Sequence, residues 1–283
     1  MTGPTELGEF LRIRRSALQP EDVGLQNYGV RRVPGLRREE LAMLAGVSMT
    51  YYTRLEQGLS ANASPSVLEA ITRALQLNEA ERAHLLDLAT PTRPTRRAST
   101  KPDRARPGTL RLITSMSNLP AIVLGRRSEV LAWNALGHKL VGSHLDFESP
   151  QSTLDRPNLT RMLFLDAHTR ELCARWGEEA TRAVSSLRLL AGRLDDDQQL
   201  ISLVGELTVK SAEFAGLWAK HPVAICLEGL KYFQHPIVGS LELHFEVLTT
   251  PDDSGHRILI YTPEPGSSSA AALQLLQSAP AWS

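Results

Sequence analysis

The chain has 283 residues, with 31 Lys and Arg balanced by 31 Asp and Glu, 42% hydrophobic side chains and only 5% aromatic ones. That length makes about two domains at ~150 residues each. The absence of any apolar run of about 18 residues excludes a membrane-spanning helix, and a 22% charged fraction at zero net charge excludes a disordered charged tail. Residues 1–20 carry Arg12, Arg14 and Arg15 in place of an apolar signal core, so the expected location is the cytoplasm. Cys173 and Cys226 stand too far apart for a disulfide scaffold or a zinc site and are expected to pack as small hydrophobes. The neutral total hides an asymmetry: residues 1–106 hold 16 basic and 12 acidic side chains, the remainder 15 and 19.

Leu7, Phe10, Leu11, Ile13 and Leu18 open the chain as a helix ending near Pro20, with Arg12, Arg14 and Arg15 on its other faces. Further helices are expected over residues 37–45, 48–57, 64–75 and 78–88, five in all. Gly46 and Gly58 stop the second and third, and Ser48 caps the third. Residues 37–58 read RREELAMLAGVSMTYYTRLEQG. Two short helices cross steeply only where the first presents a small residue and the turn tolerates a positive φ, needs that Ala42 and Gly46 meet. Leu41, Ala45, Val47, Tyr52 and Leu55 then form the shared inner face, and Met49, Thr50, Thr53 and Arg54 point outward, within reach of base edges. Ser48, Met49 and Thr50 lie at the end that enters a major groove deepest. Arg38 is the candidate phosphate clamp, with Arg31, Arg32 and Arg37 beside it. Arg54 could fork onto a guanine or a phosphate, or be merely solvated, and Tyr51 is free to bond a phosphate.

This stretch resembles the helix-turn-helix of the xenobiotic-response-element type, the group that includes the lambda repressor and Cro. The string Arg54-Leu55-Glu56-Gln57-Gly58 followed by Pro65-Ser66 is typical of it. A helical bundle that reads no DNA is the alternative. After this domain, residues 1–90, comes a basic stretch over 91–108 that holds Arg93, Arg96, Arg97, Lys101, Arg104 and Arg106 among Pro91, Pro94, Pro102 and Pro107. It reads as an extended linker, either a solvated spacer or a neutraliser of phosphates as well.

A second domain is expected over 109–283. Residues 121–125 and 130–134 are apolar runs joined by a polar turn, a hairpin. Helices are expected around Leu159 to Phe164, over 172–190, and over 200–214 with Leu203, Val204, Leu207 and Val209 buried. Asp195, Asp196 and Asp197 cap the last of these. Strands are expected over 223–227, 241–248 and 257–261, the alternation of Leu241, Leu243, Phe245 and Val247 marking one buried face. The fold class is therefore α+β and multidomain: an all-α five-helix domain, then an antiparallel sheet with helices.

The pieces LGRRSEVLAWNALGHKLVG from Leu124, RPNLTRMLFLD from Arg156, EFAGLWAKHPV from Glu213, FQHPIVGSLELHFEVL from Phe233 and YTPEPGSSSAAALQLL from Tyr261 resemble the MmyB-like ligand-binding domain of actinobacterial transcription regulators. That resemblance implies a PAS-like five-stranded antiparallel sheet with helices enclosing an apolar pocket that holds a fatty-acid-like or other hydrophobic small molecule. Core packing or pocket lining is expected of Trp133, Leu163, Phe164, Trp176, Phe214, Trp218 and Phe233. His221, His235, His244 and His256 show no metal spacing, and no phosphate loop, nucleophile elbow or Cys-His signature is present, so no enzyme, metal or bound cofactor beyond that small molecule is expected. The expected protein is a sequence-specific DNA-binding transcriptional regulator, partnered by a double-stranded operator and an apolar effector. It is expected to be a homodimer, because one recognition helix touches too few base pairs for dissociation constants of about 10⁻⁸ to 10⁻¹¹ M. The alternative is a ligand-responsive protein–protein interaction module whose second domain serves mainly in dimerisation.

Overall fold

The computed structural model describes residues 5–26, 33–59, 63–90, 103–152, 155–194, 197–250 and 255–279. It divides into two compact units. The first comprises Met1–Arg97, Arg188–Asp196 and Ala219–Ile225, the second Ala98–Leu187, Asp197–Trp218 and Cys226–Ser283.

The five expected helices are present in the first unit as α1 (Glu6–Ala17), α2 (Arg38–Leu44), α3 (Met49–Glu56), α4 (Pro65–Ala74) and α5 (Glu79–Ala89), with a 3₁₀ turn at Pro20–Val23. Short polar side chains start four of them by accepting an otherwise unpaired backbone N–H: Thr5 from Gly8, Ser48 from Tyr51, Ser64 from Val67 and Asn78 from Glu81. Phe10, Leu11, Leu41, Tyr52, Leu55, Ile71 and Leu85 are completely buried and form the core. Gly46 turns the chain between α2 and α3 at φ +64°, a conformation that costs a side-chain-bearing residue. The arginines of α1 do not all lie on its outer faces as expected, because Arg15 is buried.

In the second unit α6 (Pro107–Ser115) precedes β1 (Ala121–Leu124) and β2 (Val130–Trp133), the expected hairpin, and α7 (Ala135–Val141) follows it directly. After a 3₁₀ turn at Ser149–Gln151 come α8 (Leu159–Leu165), α9 (Ala167–Leu172), α10 (Trp176–Ala191), α11 (Gln198–Lys210) and α12 (Ala212–Ala219). The chain closes with β3 (Glu228–His235), β4 (Gly239–Thr249), β5 (Arg257–Pro263) and α13 (Ser268–Ser278). The five strands form one antiparallel sheet in the order β2-β1-β5-β4-β3. Along β4, Leu241, Leu243 and Phe245 are buried while Glu242, His244 and Glu246 are exposed. The buried face packs on Leu136 and Leu140 of α7 and Leu273 and Leu276 of α13. On the opposite face Ala121, Val123 and Ile258 meet Ile113 of α6.

Four expectations are corrected by tertiary contacts. No strand forms over 223–227: pairing with β4 begins only where Glu228 meets Glu246. The helix expected over 172–190 is broken between Leu172 and Trp176, where Cys173 bridges to Phe233 and the Ala174 N–H donates to the Tyr232 carbonyl at 3.0 Å. The helix expected over 200–214 stops at Lys210, because the Ser211 hydroxyl accepts the Phe214 N–H at 3.1 Å and starts α12. Val209, expected inside, is 87% exposed, since Leu200, Leu203 and Leu207 fill the inner stripe of α11. Asp197 does cap α11, accepting from the Gln199 and Leu200 N–H groups; Asp195 and Asp196 lie outside the described residues.

Helix α1 approaches α3 so closely that a Cβ built on Gly8 would sit 2.2 Å from the Glu56 carbonyl oxygen, which is backbone and cannot swing aside. Gly8→Ala is expected to force the helices apart and cost about 1–3 kcal/mol, an overpacking penalty that exceeds the usual gain from alanine in a helix. Urea unfolding of the first unit measures it, and an unchanged midpoint would contradict the close approach.

Candidate DNA-reading surface and sensor core

Helix α3 is held in place from beneath. Glu56, in its last turn and 4% exposed, binds two arginines with one carboxylate. Arg15 of α1 donates from Nε to Oε2 at 2.8 Å and from Nη2 to Oε1 at 3.0 Å, and its Nη1 donates to the Leu36 carbonyl at 2.6 Å. Arg38, at the start of α2, donates from Nε to Oε1 at 2.8 Å. Burial by itself would raise the Glu56 carboxyl pKa, but the hydrogen bonds and charge of Arg15, joined by Arg38, outweigh it and hold the group below the ordinary range. Burial, followed by the charge of Glu56, pushes the Tyr52 phenol far above its ordinary value, so it stays neutral.

That anchoring sets what α3 presents. Ser48, Met49, Thr50 and Arg54 are exposed, Met49 at 54%, and Tyr51 is half-buried. Thr53, expected to point outward with them, is half-buried and its hydroxyl oxygen is closed off from solvent. Arg37 is exposed; its N–H donates to Glu40 at 2.6 Å and its guanidinium lies 3.4 Å from Glu39. Arg38, expected as a free clamp, is tied to Glu56 while its side chain remains 42% accessible. Two cations share one carboxylate here, at the last turn of α3. Arg31 and Arg32 lie outside the described residues, as do linker residues 91–102; Arg104 and Arg106 are exposed, and Asp103 is held by His256 at 2.6 Å. Arg15 and Glu56 were not singled out in the sequence, because a buried ion pair leaves no periodic signal.

In the second unit the seven aromatic and apolar candidates separate into groups. Leu163 and Phe164 of α8, Trp176 of α10, and Phe214 and Trp218 of α12 come together. Phe164 meets Trp176 edge-on at 5.6 Å and Phe214 edge-on at 5.1 Å, Phe214 stacks with Trp218 at 5.6 Å, and the Trp176 indole donates to the Leu163 carbonyl at 2.8 Å. Trp133 and Phe233 lie apart from these, in the sheet core, Phe233 edge-on to Tyr261 at 5.5 Å. Two clefts open among the described residues. One, of about 400 Å³, is bordered by Phe233, Tyr232, Arg175 and Ser268; the other, of about 360 Å³, by Trp133, Leu136 and Phe147. None of the α8–α10–α12 group lines either cleft. Phe147, Leu136 and Thr114 border the second cleft and carried no pattern in the sequence that marked them. Burial pushes the Cys173 thiol up to about 11 and raises that of Cys226, and both residues are half-buried.

Two short helices packed on each other through a glycine turn are followed in one chain by an antiparallel sheet covered by helices, and with the domains matched below this is the class of DNA-binding transcription regulators with a ligand-binding domain. A model of the helix-turn-helix domain matches residues 6–85, and the model of the MmyB-like transcription regulator ligand binding domain matches residues 105–276. The chain belongs to the MmyB-like transcription regulators. No curated protein matches it. Its domains are those of transcription regulators rather than of enzymes, and among the described residues no helix is long and apolar enough to cross a membrane.

Because Glu56 has a depressed folded-state pKa, its stabilisation is fully present above the ordinary glutamate range and is lost as pH falls through the lowered value. Arg15→Met is expected to cost about 3–5 kcal/mol at neutral pH by stranding a buried charge, and to flatten the acid limb of the stability profile. Arg38→Ala, acting through an exposed side chain, is expected to cost at most about 1 kcal/mol. Urea midpoints between pH 3 and 7 for the two variants check the ranking, and equal losses would contradict it.

Proposed function

We propose that this regulator binds a specific operator as a homodimer through the first turn of α3, and that an apolar small molecule held in the C-terminal domain modulates that binding. The observation that carries the reading is the exposure of Ser48, Met49, Thr50 and Arg54 on a helix whose far end is fixed by the buried Glu56 pair. Thr50 and Met49 meet base edges, where a threonine hydroxyl serves several bases and a methionine touches a thymine methyl. Arg38, anchored on one side by Glu56, offers its remaining donors to a phosphate, as a guanidinium with five N–H groups can. Two copies supply the two half-sites that a single short helix lacks. A fatty-acid-like effector is one member of the apolar class that such a domain accommodates, and the effector changes operator affinity only by the difference in its own affinity for the two binding states. Chemistry on the effector forms no part of the proposal, and the cell compartment implied is that of the chromosome.

The test uses the full chain, because the first unit draws on residues 188–196 and 219–225 as well as 1–97. Duplexes selected from a random pool are expected to be bound at least 10³-fold more tightly than scrambled ones. Log affinity is expected to fall with log salt at about −0.9 per phosphate contacted, and Arg38→Ala is expected to lower that slope by about one. Thr50→Ala is expected instead to relax preference at one base position, at a cost of about 1–3 kcal/mol on the preferred sequence. Equal affinity for selected and scrambled duplexes at physiological salt would reject operator recognition in favour of a protein-interaction module.

A further inference from the structure

The first unit is completed by two segments from far along the chain, residues 188–196 at the end of α10 and residues 219–225 after α12. Together they clasp α1 and α5. Val223 is buried with Phe10, Leu11 and Leu85 in the core of that unit, and Leu189 packs against it. Arg188, 1% exposed, donates from Nη1 to the Glu6 carboxylate of α1 at 3.3 Å. Arg193 donates from Nε to Asp87 of α5 at 2.7 Å. Arg14 of α1 donates from Nη2 to the His221 carbonyl at 2.9 Å and pairs with Glu81 of α5 at 3.1 Å. A Cβ built on Gly192 would lie 2.7 Å from the His84 ring, so the chain just past α10 is seated directly on α5.

The clasp is shut against opposing costs. Among the described residues, both ring nitrogens of His84, Nδ1 of His221 and Nε of Arg14 are buried with no hydrogen-bond partner, and the nearest carboxylate to the His221 ring, Glu9, stands 3.6 Å from Nε2. Burial, and then the charge of Arg188, holds the His84 imidazole down to about 4 and that of His221 down to about 3, so both are neutral at neutral pH and answer no carboxylate. His221 also stands at φ +48°, where a residue with a side chain is strained. Unbonded buried nitrogens and backbone strain each make release easier than a junction of apolar groups would. Helix α1 is also the element that fixes α3: its Gly8 and Arg15 hold Glu56, while its Glu6, Phe10 and Arg14 hold the clasp. Helix α10 belongs to the second unit over residues 176–187 and to the first from Arg188 onward. We infer that the clasp is the device through which the C-terminal half regulates DNA reading: shut, it holds α1 and with it α3 in the operator-binding arrangement, and its release lowers operator affinity. The inference rests on the reading of the chain as an operator-binding regulator and adds the contact through which that binding is set.

The full chain is titrated with the selected operator duplex, while hydrogen exchange of the amides over residues 219–225 reports the state of the clasp. Gly192→Val drives a side chain into the His84 ring. It is expected to speed exchange at 219–225 and to weaken operator binding by at least about tenfold, with the slope of log affinity against log salt unchanged because no phosphate contact is lost. Adding His84→Ala seats the new side chain in the space of the ring and is expected to bring affinity back to within about threefold of the wild type. Arg193→Glu, at an exposed position, sets a second carboxylate against Asp87 without emptying a core site, and is expected to weaken binding by at least about threefold. Exchanging both partners, Asp87→Arg with Arg193→Glu, keeps the net charge and is expected to restore it. Faster exchange with unchanged operator affinity, unchanged exchange in Gly192→Val, or double variants no better than the single ones would each overturn the clasp and leave operator recognition standing. Equal affinity of the wild-type chain for selected and scrambled duplexes would overturn both.

Discussion

The carboxylate of Glu56 is the point on which the DNA-reading half depends. A buried anion is tolerated only when its lone pairs are taken up and its charge is answered, and here Arg15 does both from α1 while Arg38 does so from α2. Three helices are thereby tied to one side chain in the last turn of α3. The close approach at Gly8 is the steric counterpart of the same junction, because only a residue without Cβ lets α1 reach the backbone of Glu56. Since Arg15 and Glu56 are buried, salt screens their pair little, and the placement of α3 is set by the fold itself.

The same residues explain why one arginine is enclosed and another keeps accessible surface. Arg15 is consumed by Glu56 and the Leu36 carbonyl, whereas Arg38 keeps a large accessible surface and surplus donors. Truncating the first strips a buried carboxylate of its main partner, whereas truncating the second removes a largely accessible one. The difference lies in burial and not in residue type.

In the second unit rigidity comes from three polar side chains at one corner of the sheet. Trp133, Asn134 and Lys139 each bond to carbonyls on a different element, so α6, the loop at Phe147 and the end of α13 hold fixed distances from β2 and α7. The rings of Phe164, Trp176, Phe214 and Trp218 pack on one another between α8, α10 and α12.

Local chemistry determined the five N-terminal helices, their caps at Ser48, Ser64 and Asn78, the Gly46 turn and the inward face of Leu41, Tyr52 and Leu55, because each is set by spacing along a few residues. The hairpin over β1 and β2 and the alternation along β4 were legible for the same reason. Tertiary structure decided what depends on a partner distant in the chain. The start of β3 waits on its pairing with β4, the break before α10 on the Cys173–Phe233 bridge, and the exposure of Val209 on which side of α11 meets α8. It also decided the fates of charged and polar groups. Arg15 and Arg38 look alike in sequence, yet one is buried by Glu56, 41 positions away, and the other remains at the surface. Trp133 and Phe147 border a cleft with Gln277 only because Lys139 bonds to carbonyls at the end of α13, 137 to 140 positions away, and no period in the sequence encodes a hydrogen bond across that distance.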